Sequence, residues 1–367
     1  MPGHFAKTEN PVVSVILPIY NAAPYLEQAL VSVEAQTLSE IEIICVNDGS
    51  TDASPEIIER HAREDGRYVV VDKENGGYGQ AMNRGLAQAR GTWIAILEPD
   101  DWIERTMFRE LVEFASSFAQ PIDIVKSPYW RIIEPDTRAQ RRLNCSYKGR
   151  IKPAEQPFTI TDPGVLHLLH HHPSIWSALY RRSFIEDKGI QFHEIPGAGW
   201  ADNPFLIDTL CQAGAIVYLD RAFYNYREET EDKAKSFALN NTCIPLERWL
   251  DMADSLDRLG VTDKGVWRIQ NERAFTYLGG IADYVDIKRD DVHDLMAKMF
   301  TRMDDELVFS DAEISPGWKE TYAATKGLAA PDADSRTYYA HLVRTFGYNM
   351  ANIGPSQTFK LVRNYLK

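Results

Sequence analysis

The 367-residue sequence is poor in cysteine, and its four cysteines lie far apart. Cys45, Cys145, Cys211 and Cys243 include no CxxC pair, so neither a zinc site nor a disulfide framework is indicated. Buried free thiols in a reducing compartment are the expectation that follows.

The sequence also lacks a long apolar segment. No window approaches the ~20 apolar residues that a membrane-spanning helix needs. The first residues, MPGHFAKTEN, have neither the basic start nor the apolar centre of a signal peptide. We therefore expect a cytoplasmic protein without a transmembrane segment.

A surplus of basic residues is missing as well. Lys and Arg number 40 against 53 Asp and Glu, which gives a formal net charge of −13. This argues against a nucleic-acid binder, because such proteins neutralise phosphates with basic side chains. The imbalance is concentrated in residues 1–115, which hold 19 acidic and 9 basic side chains.

What the sequence does contain is a globular composition and a length that suits two or three domains. Short apolar runs rich in β-branched residues alternate with helical patterns in the first part of the chain. Strands are predicted over 12–19, 41–46, 69–71 and 93–97, with helices after Pro24, over 54–64 and over 81–89. Because each parallel crossover needs a helix-length connection, the pattern predicts an α/β domain with a mainly parallel sheet flanked by helices. From about Ile244 onward, helical periodicity dominates.

Polar motifs follow the predicted strands, at the ends where ligands bind in such sheets. The motifs, including those later in the chain, are LPIYN (17–21), VNDGSTD (46–52), NGGYGQAMNRGL (75–86), LEPDDW (97–102), GWADNPF (199–205) and YNYR (224–227). With these motifs in this order, residues 12–227 resemble the family 2 glycosyltransferases.

The resemblance implies the GT-A fold, a Rossmann-like, mainly parallel sheet flanked by helices, here followed by a helical C-terminal module. The expected divisions are a nucleotide-sugar-binding half (1–115), an acceptor-binding half (116–240) and the helical module (241–367). The implied activity is metal-dependent, inverting hexosyl transfer from a UDP-sugar to a hydroxyl of a glycan or lipid-linked acceptor, in cell-surface polysaccharide synthesis.

On the donor side, the resemblance implies that Pro18, Tyr20 and Asn21 frame the base, with Tyr20 stacked on it. Asp48 would accept a hydrogen bond from the imide N–H of uracil, although a plain turn is the alternative for this residue. The other donor-side residues that the resemblance implies are Ser50, Asn75, Gly76, Asn83, Asp100 and Arg227. Asn75 and the glycines would let the backbone approach the nucleoside closely. Arg227 would offer donors to the diphosphate, or form an exposed ion pair.

An acidic protein needs a divalent cation to hold a diphosphate. Glu98, Asp100 and Asp101 supply carboxylates for Mn²⁺ or Mg²⁺, and Asp100 is the expected main ligand. Glu98 stands where the family usually has Asp, which leaves open whether it contacts the sugar, the metal or neither. The alternative is that Asp100 or Asp101 caps a helix starting near Ile103.

By the same resemblance, Asp202 is the catalytic base that removes the proton of the acceptor hydroxyl. It matches the second member of an acidic pair whose first member is Ala201 here. The alternative is again a helix cap, because Asp202-Asn203-Pro204 could begin a helix.

Several other features allow two interpretations. Trp176 resembles a residue lining the acceptor side, or belongs to the core, and a zinc site at His170–His172 is not favoured. A basic, loop-like stretch over 138–152 could meet a phosphate-bearing acceptor or be solvated. The last helix, 358–367, could lie on the inner face of a membrane or join copies of the chain.

Two other functions stay open on the sequence. A sugar nucleotidyltransferase would carry a glycine-rich loop ending in a basic residue where LPIYN stands. A non-catalytic binding or scaffold protein with the same fold is kept open by Glu98 and Ala201.

Overall fold

The computed structural model describes residues 9–147, 151, 156–170, 173–197, 199–228, 236, 239–329, 335–352, 355 and 358. Its contacts divide the chain into two compact units. The first comprises residues 1–234 and 254–261, and the second comprises residues 235–253 and 262–367.

The first unit is an α/β domain in which strands and helices alternate. Its elements are β1 (Val13–Ile19), α1 (Ala23–Glu34), β2 (Ile41–Asp48), α2 (Ser54–Glu64), β3 (Tyr68–Lys73), α3 (Tyr78–Gln88), β4 (Trp93–Ile96), β5 (Trp102–Ile103), α4 (Met107–Ser116), β6 (Ile124–Lys126), β7 (Tyr129–Ile133), β8 (Arg141–Asn144), α5 (His167–His170), β9 (Ala178–Arg181), α6 (Arg182–Lys188), α7 (Asp202–Leu210), β10 (Ile216–Tyr218) and β11 (Tyr224–Arg227). The strands and helices predicted before residue 100 are all present, with ends displaced by three residues or fewer.

The central sheet has the strand order β10-β6-β9-β4-β1-β2-β3. β1 is parallel to both β2 and β4, and β2 is parallel to β3, whereas β9 is antiparallel to its two neighbours. β1 and β2 are buried along their whole length, which explains their unbroken apolar sequences. Because the parallel strands end at one edge, the polar motifs that follow them are brought together there.

A second sheet, with the order β5-β11-β7-β8, corrects one expectation. The basic stretch predicted as a loop contributes β8, which pairs antiparallel with β7. In β8, the guanidinium of Arg142 lies 4.4 Å from the ring centroid of Trp130 and donates to Asn225 Oδ1 at 2.8 Å. Arginine can cover apolar surface while keeping its charge paired, so a prediction made from the basic composition alone missed this strand.

A buried carboxylate ties together the amino ends of β1 and β2. Glu42 accepts from Ser14 Oγ at 2.5 Å, and from the backbone nitrogen and Nε of Arg90 at 2.7 and 2.9 Å. Burying a charge is unfavourable unless it is paired in this way. Glu42 is therefore a structural residue at the edge opposite the polar motifs.

The second unit is helical. Its helices are α8 (Ile244–Arg258), whose last turn belongs to the first unit, α9 (Lys264–Ala282), α10 (Asp290–Thr301), α11 (Asp305–Ser310), α12 (Pro316–Lys326) and α13 (Ser335–Asn352). Its core includes Trp249, Phe275, Leu278, Phe300 and Tyr322. The predicted helical C-terminal region is thus confirmed, whereas the predicted helix 358–367 lies outside the described residues apart from Thr358.

The described helices include none that is both long enough and apolar enough to cross a bilayer. The four cysteines, all within described segments, form no disulfide. Of these four, Cys45 is fully buried and the other three are partly exposed, so the expectation of buried thiols holds for Cys45 alone.

Candidate active site

The loops that follow β1 and β2 are joined by hydrogen bonds. Asn21 has a φ of 49°, a left-handed conformation that asparagine tolerates better than most residues. Its Oδ1 accepts from the backbone nitrogen of Thr51 at 2.8 Å, and its own backbone nitrogen donates to Ser50 Oγ at 3.0 Å. The described contacts of Asn21 and Ser50 therefore fasten the two loops together, and the contact of either residue with the nucleotide stays a prediction.

Tyr20 and Pro18 differ in their access to solvent. Tyr20 is 53% exposed just beyond β1, so its ring is available for stacking. Pro18 is buried within β1, opposite Val46 of β2. The pairing of β1 with β4 ends at Ile16, so a residue without an N–H is tolerated at this position of a central strand.

Asp48 ends β2 and binds the glycine-rich turn that precedes α3. Its two carboxylate oxygens accept from the backbone nitrogens of Gly76 and Gly77, each at 2.9 Å, and the Lys73 ammonium pairs with the same group. The residue is only 3% exposed. Three of the roughly four acceptor positions of a carboxylate are therefore occupied within the protein, which leaves room for one further donor.

The same turn packs closely against residues 193–197. A Cβ atom at Gly77 would lie 2.5 Å from the carbonyl oxygen of Ile195, and one at Gly79 would lie 2.0 Å from that of His193. We expected the glycines to admit a nucleoside, whereas at these two positions they admit another stretch of backbone.

Asn83, on α3, also holds this segment. Its Nδ2 donates to the carbonyl oxygen of Phe192 at 2.9 Å and to Glu194 at 3.0 Å, and its Oδ1 accepts from Phe192 N at 2.9 Å. Both ends of the Asn83 amide are therefore engaged by the chain itself. A contact between Asn83 and the nucleotide stays a prediction.

Three carboxylates from distant parts of the sequence come together beside the glycine turn. Burial raises the pKa of Glu98 to about 8, and the nearby carboxylates of Asp100 and Asp202 add to the rise, although the hydrogen bond from Tyr78 opposes it. All three carboxylates belong to partly buried residues. The structure thus places Glu98, Asp100 and Asp202 in one electrostatic cluster.

Asp101 is not an open member of this cluster, which corrects its place among the predicted metal ligands. It is 1% exposed, and its two oxygens accept from the Tyr224 hydroxyl at 2.8 Å and from the backbone nitrogen of Arg227 at 2.6 Å. Burial, reinforced by the nearby Asp100 carboxylate, raises the pKa of Asp101 well above its usual range. Asp101 therefore anchors the loop after β4 to β11.

Arg227 is likewise engaged within the protein, where it forms an ion pair as one of the two alternatives predicted, and its contact with a diphosphate stays a prediction. It is 7% exposed and donates from Nε to the carbonyl oxygen of Asp100 at 2.9 Å and from Nη2 to Gln28 at 2.7 Å. Its remaining terminal nitrogen pairs with Asp136. The guanidinium therefore holds the backbone of Asp100 in place through its carbonyl oxygen.

Neither acidic motif supplies the N-cap of a helix, although a helix does begin at Asp202, as that alternative predicted. The helix after Asp101 begins at Met107 and has Thr106 at its N-cap position. α7 begins at Asp202 itself, and Ala201 is the N-cap. The Asp202 carboxylate consequently lies in the first turn of α7, where the helix dipole favours a negative charge.

Trp176 belongs to the core. It is 3% exposed and stacks on Tyr224 with 4.0 Å between ring centroids. Its role on the acceptor side is therefore not supported by its position. His171 and His172, and residues 148–150 and 152 of the basic stretch, lie outside the described residues.

One residue of this site was not identified from the sequence. Tyr78 donates its hydroxyl hydrogen to Glu98 Oε1 at 2.7 Å and its backbone N–H to Gly197 at 2.9 Å. The feature of the sequence that could have identified Tyr78 is the large aromatic side chain within the glycine-rich segment NGGYG.

The chemistry of these carboxylates suits a hard divalent cation. Carboxylate oxygens are the ligands that Mg²⁺ and Mn²⁺ prefer, and a cation would offset the crowding of negative charge that raises the pKa of Glu98. Asp100, with its backbone held by Arg227, and Glu98 are the candidate ligands.

Comparison with known proteins gives the site its context. Residues 14–188 match the model described as glycosyl transferase family 2. GlyG, a glycosyltransferase of Streptococcus pneumoniae, is 37% identical over 227 residues, covering 60% of this chain and 71% of GlyG. The chain belongs to glycosyltransferase family 2. EpsJ of Bacillus subtilis, an uncharacterized glycosyltransferase, is 34% identical to this family 2 chain over 237 residues, which are 59% of the chain and 61% of EpsJ.

The fold of this family 2 chain is similar to the crystal structure of TarS residues 1–349 from S. aureus. The TM-score is 0.66 at 19% identity, and the likeness covers 89% of this chain and 88% of that one. The predicted GT-A fold with a helical C-terminal region is thereby confirmed.

Proposed function

We propose that this chain is an inverting glycosyltransferase that moves a hexose from a UDP-sugar to a hydroxyl of a glycan or lipid-linked acceptor, in cell-surface polysaccharide synthesis. The observation that supports the proposal is the electrostatic interaction of Glu98 with Asp100 and Asp202, which are the candidate ligands and the candidate base. Family membership supports glycosyl transfer as the reaction class.

The donor nucleotide would bind at the carboxyl ends of β1 and β2. The exposed ring of Tyr20 would stack on the base, and Asp48 would use its remaining acceptor position for the imide N–H of uracil. Cytosine has no proton at the corresponding nitrogen, so a carboxylate there favours UDP. TarS, which shares the fold, has been crystallised with UDP and with UDP-GlcNAc, so UDP-sugars are the first donors to test.

The diphosphate would be held through a divalent cation on Asp100, with help from Glu98. When bound, such a cation stabilises the negative charge of the departing diphosphate. Asp101 and Arg227 act behind these residues by fixing the loop that carries them.

Asp202 would act as the base. The acceptor oxygen forms a bond to the anomeric carbon while the bond from that carbon to the diphosphate breaks, and the hydroxyl proton passes to the Asp202 carboxylate. Attack from the side opposite the leaving group inverts the anomeric configuration. Asp202 lies in the first turn of α7, at the positive end of the helix dipole.

The test is Asp202→Asn, with Asp187→Asn on the exposed face of α6 as the charge-matched control. UDP-sugars are first screened by thermal shift with and without Mn²⁺, and transfer is then measured with the best donor. Removing the base is expected to lower kcat by about 10²- to 10⁴-fold. UDP affinity should change little, because the substitution removes no contact to the nucleotide.

The control variant should match the wild type in both measurements. Turnover by Asp202→Asn at the wild-type rate would remove the base assignment. A wild type that binds UDP but transfers no sugar would favour the non-catalytic binding protein instead.

A further inference from the structure

We propose that Tyr78 is a positioning residue that orients Glu98 and holds the segment leading to Asp202. The inference deepens the proposed function and rests on it. Tyr78 lies where the glycine turn, the loop after β4 and residues 192–197 meet.

The first part of the argument is the hydroxyl group. It donates to Oε1 of Glu98 at 2.7 Å, while the backbone nitrogen of Glu98 donates to the Tyr224 hydroxyl at 3.1 Å. In the part of the chain that the structure describes, no other side chain binds the Glu98 carboxylate. One carboxylate oxygen is therefore fixed by Tyr78, and the other stays available for the divalent cation proposed on Asp100.

The second part is the ring and backbone of Tyr78. The ring meets Phe192 edge to face, with 5.8 Å between centroids, and Phe192 stacks on Phe205 at 4.0 Å. Phe205 lies on α7, one turn after Asp202. The backbone nitrogen of Tyr78 also donates to the carbonyl oxygen of Gly197 at 2.9 Å. A single residue thus contacts the candidate ligand on one side and the support of the candidate base on the other.

These two roles separate experimentally, because Tyr78→Phe removes the hydroxyl group and keeps the ring. The matched control is Tyr180→Phe. Tyr180 is buried, donates its hydroxyl hydrogen to a backbone carbonyl at 2.9 Å, and packs against Phe205. Both variants lose one hydrogen bond of similar length, partly buried at Tyr78 and buried at Tyr180, but only Tyr78→Phe frees Glu98.

If Tyr78 positions Glu98, Tyr78→Phe lowers kcat by about tenfold or more, the range expected for a hydrogen bond to a carboxylate. The Kd for UDP measured without a divalent cation should stay within about twofold of the wild type, since the direct contacts to the nucleotide are untouched. Tyr180→Phe should keep the wild-type kcat. A purely structural role for the Tyr78 hydroxyl would affect the two variants alike, and that result overturns the inference.

The second measurement is a double-mutant cycle with Glu98→Ala. If Tyr78 acts through Glu98, adding Tyr78→Phe to Glu98→Ala causes no further loss of kcat. An equal fold-loss with and without Glu98 overturns the inference. A wild type without any transfer activity overturns the proposed function and this inference together, whereas an active wild type with an equally active Tyr78→Phe overturns this inference alone.

Discussion

Gly79→Ala is expected to disturb the candidate active site through a backbone contact. Gly79 is the second residue of α3, and a Cβ atom there would lie 2.0 Å from the carbonyl oxygen of His193 and 2.8 Å from its carbonyl carbon. Ordinary contact begins at 3.4 Å, so one of the two backbones has to move by the difference from 2.0 Å, about 1.4 Å. No side-chain rotation relieves this clash, because the opposing atoms belong to the backbone.

The expected change in the free energy of unfolding follows from two opposing effects. Overpacking a close contact destabilises a protein by roughly 1–3 kcal/mol. Alanine is a better helix former than glycine by at most about 1 kcal/mol. We therefore expect Gly79→Ala to lower the free energy of unfolding by about 1–2 kcal/mol. Because the displaced segment leads to Asp202, a shift on this scale should also lower kcat, by up to about 100-fold.

Urea unfolding and transfer assays test both effects. Gly279→Ala in α9 is the matched control, since a Cβ atom there meets nothing within 4 Å. That substitution isolates helix propensity, so it should raise the free energy of unfolding by about 0.5–1 kcal/mol and leave kcat unchanged. If Gly79→Ala were as stable and as active as the wild type, the close approach of α3 to residues 193–197 would be refuted.

Two further predictions concern titration and metal. Burial lowers the pKa of Lys126 to about 7, although its ammonium donates to the hydroxyl groups of Ser174 and Ser177, each at 2.9 Å. Between about pH 7 and pH 10 the unfolded chain binds a proton that the folded chain does not, so stability should rise with pH by up to about 1.4 kcal/mol per unit. Subtracting the unfolding free energies of Lys126→Met from those of the wild type at pH 7, 8 and 9 isolates this slope, and a constant difference would contradict the lowered pKa. Separately, Asp100→Ala should remove the effect of Mn²⁺ on UDP affinity measured by calorimetry, and an unchanged metal dependence would show that the ligand lies elsewhere.

The local elements were predictable because their signals lie within the elements themselves. β1 and β2 are buried on both faces, and this burial demands the continuous apolar runs that the sequence displays. β8 escaped prediction because it is a largely exposed strand at the edge of the second sheet, so its own composition carries no burial signal and only its pairing with β7 defines it.

The roles of the acidic residues also divide into what the local sequence signals and what tertiary contacts decide. Asp100 and Asp101 are adjacent in sequence and chemically identical, and nothing local distinguishes them. β11, more than 120 residues later, supplies the Tyr224 hydroxyl and the backbone nitrogen of Arg227, which engage Asp101 and leave Asp100 to the cluster.

The sequence by itself determined the α/β alternation, the helical C-terminal region, the family and the strand ends at which the polar motifs stand. The tertiary structure alone decided which polar groups face each other. It withdrew Asp101 and Arg227 into the protein, placed Tyr78 against Glu98, and gathered three carboxylates from residues 98 to 202. The physical reason is that hydrophobic periodicity reports which face of a helix or strand is buried. A hydrogen bond or an electrostatic cluster depends instead on partners that only the packing of distant strands and helices brings within reach.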